Sequence, residues 1–250
     1  MRKVNLVQSG IFLLLGVVVL SGCNKEGEGV DENLPTVYQK FYNVDAAYQD
    51  GDFIVIETAG IPDHKSPYYD GTSWESDLYE AYTGTNPDFT KNPNDIGAQD
   101  FTFRIPMNPS EDAAHSSTPL GPIGIALNGV AIFNQYAGPA NDPLDGEINT
   151  FDQGNGHPTG TNTYHYHIEP IHITAKLGSS ALIGFLLDGF PVYGPIEDGE
   201  LVTNDDLDAY HGHSHATADY PDGIYHYHIT SEDPYINGDG FYGTAGTVTQ

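Results

Sequence analysis

Tyr164-His165-Tyr166-His167 is a four-residue stretch that returns unaltered as Tyr225-His226-Tyr227-His228, 61 positions further along the 250-residue chain. Successive side chains of a β-strand point to opposite faces, so each copy would place two histidines on one face and two tyrosines on the other. Two imidazoles side by side on a strand form half of a transition-metal site, which needs one or two further ligands from a loop. The two copies therefore predict a β fold organised around paired histidine sites.

The sequence leading into each copy is also repeated. Each copy follows two apolar runs joined by a dipeptide that tolerates positive φ angles, Asn128-Gly129 in the first repeat and Asp188-Gly189 in the second. Such dipeptides favour a tight hairpin. The predicted repeats run from about residue 122 to 172 and from about residue 182 to 230, and a period of about 60 residues is typical of a duplicated supersecondary unit.

The region before the repeats favours strands as well. Phe53–Thr58 is rich in β-branched residues, and residues 101–105 alternate between apolar and polar. The best helix candidate, residues 74–82, is short. We therefore expect an all-β fold, either a β-sandwich or an open barrel, built from two pseudo-repeated halves with long loops and little helix. The strands of residues 38–106 are expected to join one of the halves.

Each repeat supplies three histidines and one aspartate in the same order. The aspartate lies five residues before a loop histidine, and the Tyr-His-Tyr-His strand follows. Three imidazoles with an open fourth position suit zinc, or copper(II) where the geometry is flatter. The aspartate could be the fourth ligand, or it could accept the free N–H of a ligating histidine. The candidate metal ligands are His157, His165, His167, His213, His226, His228, Asp152 and Asp208.

The same histidines could instead hydrogen-bond backbone and tyrosine groups in a tightly packed β protein. We favour metal binding because the Asp-x4-His and His-x-His patterns recur at matched places in the two repeats. The tyrosines of both copies are expected to pack in the core. His64 either reaches the same cleft or caps a turn, and the sequence leaves both open. Of the remaining histidines, His211 and His215 flank the second loop histidine, while His115 and His172 are expected to be exposed.

Residues 1–22 predict a lipoprotein signal peptide. Arg2 and Lys3 precede an apolar run that is too short for a membrane span. The run ends in Leu20-Ser21-Gly22-Cys23, which is similar to a bacterial lipobox, and that resemblance implies cleavage before Cys23 and lipidation of its sulfur and amine. Because Cys23 is the only cysteine, neither a disulfide nor a thiolate metal ligand is available to the folded part.

The residues after the lipobox predict how the folded part is attached. Residues 23–36 are polar and acidic, which is typical of a flexible tether, and residues 37–250 are expected to form a single domain. Asn24 is not the aspartate associated with inner-membrane retention. We therefore expect a lipid-anchored protein of the bacterial cell envelope, held at the outer membrane by its acyl chains.

The chain is strongly acidic. It contains 35 Asp and Glu against 8 Lys and Arg, a formal net charge of −27. Loss of Arg2 and Lys3 with the signal peptide would make it −29. Such a surface repels nucleic acid and attracts cations, so we expect a metal ion and the membrane as partners, and no nucleic acid.

Several further stretches place this pattern in a known family. The chain is similar to bacterial YHYH-domain proteins, and the resemblance extends over about residues 50–243. Members of that family often carry cysteines in the loops around the Gly-His positions, and this chain has none there. Beyond the two Tyr-His-Tyr-His strands, the matching stretches are Gly60-Ile61-Pro62-Asp63-His64-Lys65, residues 124–134, Gly156-His157-Pro158, residues 183–195, Gly212-His213 and Tyr220-Pro221-Asp222-Gly223-Ile224.

Three functions follow from these patterns. The leading expectation is a membrane-anchored extracytoplasmic lipoprotein that binds zinc or copper for sensing, scavenging or delivery. The first alternative is a metal-dependent enzyme in which an open coordination position acts on a small extracellular substrate. No catalytic residue is assigned, since the chain lacks a Gly-x-Ser-x-Gly nucleophile motif. The second alternative is a metal-free surface interaction module.

Overall fold

The computed structural model of the protein describes residues 29–250, and their strands lie in two large open sheets and two small hairpins. The all-β fold class is confirmed, because most of the regular structure in residues 29–250 is strand and the helices there are short; in this part of the chain the sheets are open and none closes into a barrel. Within residues 29–250, no helix is both long and apolar enough to cross a membrane. The predicted signal peptide and Cys23, the predicted site of lipidation, lie outside the described residues.

The elements alternate between short strands and loops. The strands are β1 (Gly29–Val30), β2 (Ala46–Asp50), β3 (Phe53–Thr58), β4 (Phe101–Pro106), β5 (Pro122–Ala126), β6 (Ala131–Phe133), β7 (Tyr136–Ala137), β8 (Asp142–Pro143), β9 (Gly156–Pro158), β10 (Tyr164–Tyr166), β11 (Leu182–Leu186), β12 (Pro191–Tyr193), β13 (Ile196–Glu197), β14 (Glu200–Leu201), β15 (Gly212–His215), β16 (Ile224–His228) and β17 (Thr247–Thr249). The helices are α1 (Glu75–Leu78) and α2 (Ile171–Leu177), with 3-10 turns at Tyr38–Lys40, Pro67–Tyr69, Glu147–Thr150 and Asn204–Asp206.

Both repeats lie in the eight-stranded sheet, whose order is β15-β16-β12-β11-β5-β6-β10-β9. In the first repeat β5 and β6 form an antiparallel pair, β6 runs parallel to β10, and β10 is antiparallel to β9. In the second repeat β11, β12, β16 and β15 pair in the same way. The repeats meet at the antiparallel pair of β5 and β11, where Ile125 faces Phe185. The sheet therefore has a pseudo-twofold axis at its centre and one Tyr-His-Tyr-His strand near each end.

Two glycines permit the close pairing at this axis. Gly124 and Gly184 occupy equivalent positions in β5 and β11. A Cβ at Gly124 would collide with the carbonyl oxygen of Phe185, and a Cβ at Gly184 would collide with that of Ile125. Only glycine lets the two repeats approach each other this closely.

The strands before the repeats form their own sheet, which corrects the expectation that they join one half. This five-stranded sheet has the order β1-β2-β3-β4-β17, so the last strand of the chain pairs with β4. The outer strands of the eight-stranded sheet, β9 and β15, are only three and four residues long and offer little edge for an added strand. One buried core joins the two sheets, and within it the ring of Phe185 lies 4.9 Å from Tyr38 and 5.7 Å from Phe41.

Two other expectations also change. The segment expected to be a tether is partly built into the fold, because Gly29–Val30 pairs in parallel with Ala46 and Ala47, and Leu34 is only 3% exposed. The helix candidate at residues 74–82 contains the four-residue α1. Helix α2, which the sequence did not predict, connects the two repeats.

Candidate metal centres

The first histidine cluster forms where β9 and β10 pair. Their register places His157 directly opposite His165, and His167 lies two residues further along on the same face. The Nε2 atom of His165 is 3.1 Å from Nε2 of His157 and 2.9 Å from Nε2 of His167. All three side chains are only 2–3% exposed. The alternation of the strand and the pairing of the loop thus bring three imidazole nitrogens to one buried point.

The other ring nitrogen of each histidine faces away from this point. Nδ1 of His165 lies 3.1 Å from the Thr163 carbonyl oxygen, and Nδ1 of His167 lies 2.5 Å from the Asn134 carbonyl oxygen. Nδ1 of His157 is 2.6 Å from the Thr150 hydroxyl, which itself donates to a carbonyl oxygen. Carbonyl oxygens only accept hydrogen bonds, so the Nδ1 atoms of His165 and His167 carry the protons. In neutral rings, Nε2 is then an unprotonated acceptor.

Converging Nε2 lone pairs repel one another, and a cation between them would relieve that repulsion. Burial holds the pKa of His165 well below its usual range and lowers the pKa of His167 to about 4, so these two rings are neutral at neutral pH. A tetrahedral ion about 2.0–2.1 Å from each of two nitrogens would hold those nitrogens about 3.3 Å apart. The observed distances of 2.9 and 3.1 Å are close to that spacing.

Glu147 and two phenylalanines surround the first cluster. One carboxylate oxygen of Glu147 lies 3.2 Å from His157 Nε2, and the other is buried without a hydrogen-bond partner among the described residues. Phe133 stacks on His165 at 3.9 Å between ring centres, and Phe151 lies parallel to His167 at 5.7 Å. The first cluster is thus three buried imidazoles under an aromatic cover, with the Glu147 carboxylate beside His157.

The second cluster contains the equivalent histidines, and a carboxylate lies between them. His213 is opposite His226 in the pairing of β15 and β16, and His228 follows on the same face. Oε1 of Glu197 lies 3.2 Å from Nε2 of His226 and 3.0 Å from Nε2 of His228. Oε2 lies 3.1 Å from Nε2 of His213, but not with the geometry of a hydrogen bond. His215, which has no counterpart histidine in the first repeat, is 2.7 Å from Glu197 Oε1.

The outward nitrogens of the second cluster repeat the pattern of the first. Nδ1 of His226 faces the Ile224 carbonyl oxygen at 3.0 Å, and Nδ1 of His228 faces that of Gly194 at 2.9 Å. Burial lowers the pKa of His226 to about 4. Burial opposes ionisation of Glu197, but the contacts with the surrounding histidines outweigh it and hold the pKa of that carboxyl at about 2. The neutral imidazoles of His226 and His228, beside an ionised carboxylate, again favour a cation at the centre.

The structure does not bring Asp152 and Asp208 to the imidazoles. Oδ1 of Asp152 accepts the hydroxyl proton of Tyr164 at 2.8 Å, and Oδ1 of Asp208 accepts that of Tyr225 at 2.9 Å. Both aspartates therefore bind the tyrosine face of their strand, opposite the histidine face. The reason is that each loop closes on itself, since the aspartate N–H donates to the carbonyl oxygen of the glycine before the loop histidine. These residues hold the loop and lie away from the candidate ion position.

Glu147 and Glu197 are the cluster residues that sequence reasoning missed. Glu147 lies five residues before Asp152, where the second repeat has Thr203, and Glu197 follows β12, where the first repeat has Ala137. The two carboxylates therefore enter from different elements of the repeat. An alignment of the two repeats does not reveal these carboxylates, because neither has a counterpart in the other repeat. Only the fold shows that each reaches its cluster.

The remaining histidines lie outside both clusters. His64 is 7% exposed and packs on the tyrosine face, with Nε2 3.2 Å from the Tyr166 hydroxyl, so it neither reaches the cleft nor caps a turn. His211 is buried against Thr230. His115 stacks on Tyr210 and His172 lies 3.4 Å from Asp63, so neither is fully exposed as expected.

Comparison with known proteins gives one match. A family model described as "YHYH protein" matches residues 102–201 and 196–239, more than half of the chain, and the matched segments include both histidine clusters. Neither the curated proteins nor the solved structures gave a match.

Proposed function

The chain belongs to the YHYH protein family, and from that premise we propose that it is an extracytoplasmic lipoprotein that binds a transition metal, zinc or copper, at its His-x-His strands. Each chain holds two ions. The first lies among His157, His165 and His167, with Glu147 beside His157, and the second among His213, His226 and His228 with Glu197. Cys23 anchors the protein to the bacterial cell envelope, at the outer membrane.

One observation carries the proposal: the Nε2 atoms of His165 and His167 lie 2.9 Å apart while the Nδ1 atom of each ring faces a carbonyl oxygen. Two neutral imidazoles so oriented direct lone pairs at each other in a buried place, which costs free energy. A divalent ion converts that repulsion into two coordinate bonds. In a packing role alone, by contrast, one ring would be turned to donate to its neighbour.

The two ions are separate. The strands β10 and β16 are five strand spacings apart in the same sheet, and at about 4.8 Å each this puts the clusters about 24 Å from one another. No ligand can be shared over that distance. The proposed stoichiometry is therefore two ions per chain.

Elemental analysis of the purified full-length protein tests the proposal. The expected result is close to two equivalents of zinc or copper after dialysis against metal-free buffer. Bound metal below about a tenth of an equivalent, also after incubation with each ion, would refute the proposal, because a site of three buried imidazoles and a carboxylate should fill almost completely. That outcome would favour the metal-free surface interaction module.

A further inference from the structure

The second cluster opens onto a cavity of about 780 Å³, whereas the first is covered by phenylalanine rings. Glu197, His215 and His228 form part of the cavity wall. Two replacements between the repeats accompany the difference: Tyr193 stands where the first repeat has Phe133, and Leu207 stands where it has Phe151. The volume is within the range of about 300–1,000 Å³ that is typical of small-molecule sites.

The rest of the wall is largely apolar. Besides Lys40, it comes from four separate parts of the chain: the turn between β5 and β6, the segment from the end of α2 to the start of β11, the strands β12 and β13 with the turn after them, and residues 216–219 after β15. Its apolar side chains include Leu127, Leu177, Leu182, Tyr193 and Ile196. Such a surface stabilises a bound apolar group by removing it from water.

The charges around the cavity disfavour an anion. Lys40, the basic residue of the wall, is already paired with Asp219 at 2.5 Å. The wall also carries Glu197 and Asp198, and the formal net charge of the whole chain is −27. A divalent ion at the second cluster would balance the two neighbouring carboxylates without leaving a positive excess. A neutral ligand therefore fits this cavity best.

We propose that the cavity binds a small, neutral, mainly apolar organic molecule whose single nitrogen or oxygen donor binds the ion at the second cluster as a fifth ligand, beside Glu197 and three imidazoles. This inference rests on the proposed function, since it needs an ion among Glu197, His213, His226 and His228. The first ion is closed to such ligands and holds the fold at the other end of the sheet. The first repeat would thus have a structural role and the second a ligand-binding role.

Titration of the full-length, metal-loaded protein with 4-phenylimidazole tests this inference. The probe is neutral at pH 8, has one donor nitrogen, and carries a phenyl ring to fill the apolar part of the cavity. We expect one probe per chain, bound at least about 10-fold more tightly than imidazole, because only the phenyl ring gains from burial. Ala218→Trp, which fills the cavity from an exposed position of its wall, should abolish this preference and leave metal content unchanged. Ala140→Trp, at an exposed position of the first repeat, is the matched control and should change neither.

The outcomes separate the two proposals. Two equivalents of metal with no probe binding, or with equal affinity for the probe and imidazole, would overturn the inference and leave the proposed function standing. Persistence of the preference in Ala218→Trp would also overturn it, because the phenyl ring would then lie elsewhere. Absence of metal from the second cluster would overturn both. Binding of the probe to metal-free protein with unchanged affinity would show that the probe does not coordinate the ion. That result would overturn the inference and leave the proposed function standing.

Discussion

Asp188 occupies in the second repeat the position that Asn128 occupies in the first, and both side chains bind the second tyrosine of their Tyr-His-Tyr-His strand. Nδ2 of Asn128 donates to the Tyr166 hydroxyl at 3.1 Å, whereas Oδ2 of Asp188 accepts from the Tyr227 hydroxyl at 2.5 Å. The first repeat uses a neutral group at this buried place and the second uses an acid. At this turn position, therefore, Asp188 is ionisable in the second repeat, and Asn128 is its neutral counterpart in the first.

This difference predicts a pH-dependent stability. Burial raises the pKa of Asp188 to about 6, against hydrogen bonds from Tyr227, Gly243 and Phe190 that favour the charged form. Because the folded-state pKa is above the ordinary value, the stabilising effect of the proton is complete below about pH 4 and is lost as the pH rises through about 6. A shift of this size corresponds to about 3 kcal/mol at neutral pH.

The variant Asp188→Asn isolates this contribution. Between pH 4 and 7 the free energy of unfolding of the wild type should fall relative to that of the variant by up to about 3 kcal/mol, as measured by urea denaturation at fixed metal content. Asp205→Asn, at an exposed position, should not change the slope. Parallel pH profiles for the wild type and Asp188→Asn would contradict the prediction.

Removing a histidine should empty its own cluster alone. His165→Ala is expected to lower the metal content from two equivalents to one, and His226→Ala to lower it likewise, because each cluster loses one of its three imidazoles and the two lie at opposite ends of the sheet. The double variant should bind none. His115→Ala should keep both ions, since that ring stacks on Tyr210 outside the clusters. Loss of both ions in either single variant would indicate one shared site.

Glu197→Gln should weaken metal binding at the second cluster by at least about 10-fold, because an amide oxygen replaces the carboxylate that lies among the imidazoles. Competition with a chromophoric chelator measures the affinity. Glu200→Gln alters an exposed carboxylate of the same hairpin and is the matched control. An unchanged affinity at the second cluster in Glu197→Gln would remove this carboxylate from the ligand set.

Asp152→Asn should change stability and not metal stoichiometry. The carboxylate of Asp152 is buried and accepts hydrogen bonds from Tyr164 and Ser66, so weakening them should cost about 1–3 kcal/mol of unfolding free energy. Two equivalents of metal should remain bound to the folded variant. Denaturation and elemental analysis of one preparation distinguish this structural role from a role as metal ligand. If Asp152 were a ligand, Asp152→Asn would lower the metal content by one equivalent per chain.

Cys23→Ser should leave an unprocessed precursor. If the lipobox is functional, the variant keeps its signal peptide and lacks the acyl chains that anchor the wild type. Labelling with a radioactive fatty acid, together with the electrophoretic mobility of the membrane fraction, measures both effects. A serine substitution at another position of the same segment, Asn24→Ser, should be labelled and processed normally. Normal processing of Cys23→Ser would refute the lipobox.

The sequence by itself determined the local features of this protein. Alternation of side chains along a strand puts His165 and His167 on one face whatever the rest of the fold does. The glycines of the Asn-Gly and Asp-Gly dipeptides likewise set the turns of the two hairpins, since Gly129 and Gly189 have positive φ angles that few other residues tolerate. The duplication, the scarcity of helix and the all-β class follow from patterns of this kind, which depend only on residues close together in the chain.

Only the tertiary structure decided which loop residues meet the histidines. Asp152 and Asp208 have the spacing of ligands but turn to the tyrosine face, because backbone hydrogen bonds close their loops on that side. Glu147 and Glu197 reach the clusters from elements that do not correspond in the two repeats. Whether a cluster is closed or open depends on how phenylalanine rings pack against it. Such contacts join residues distant in the chain, and their geometry is set by the packing of the whole sheet.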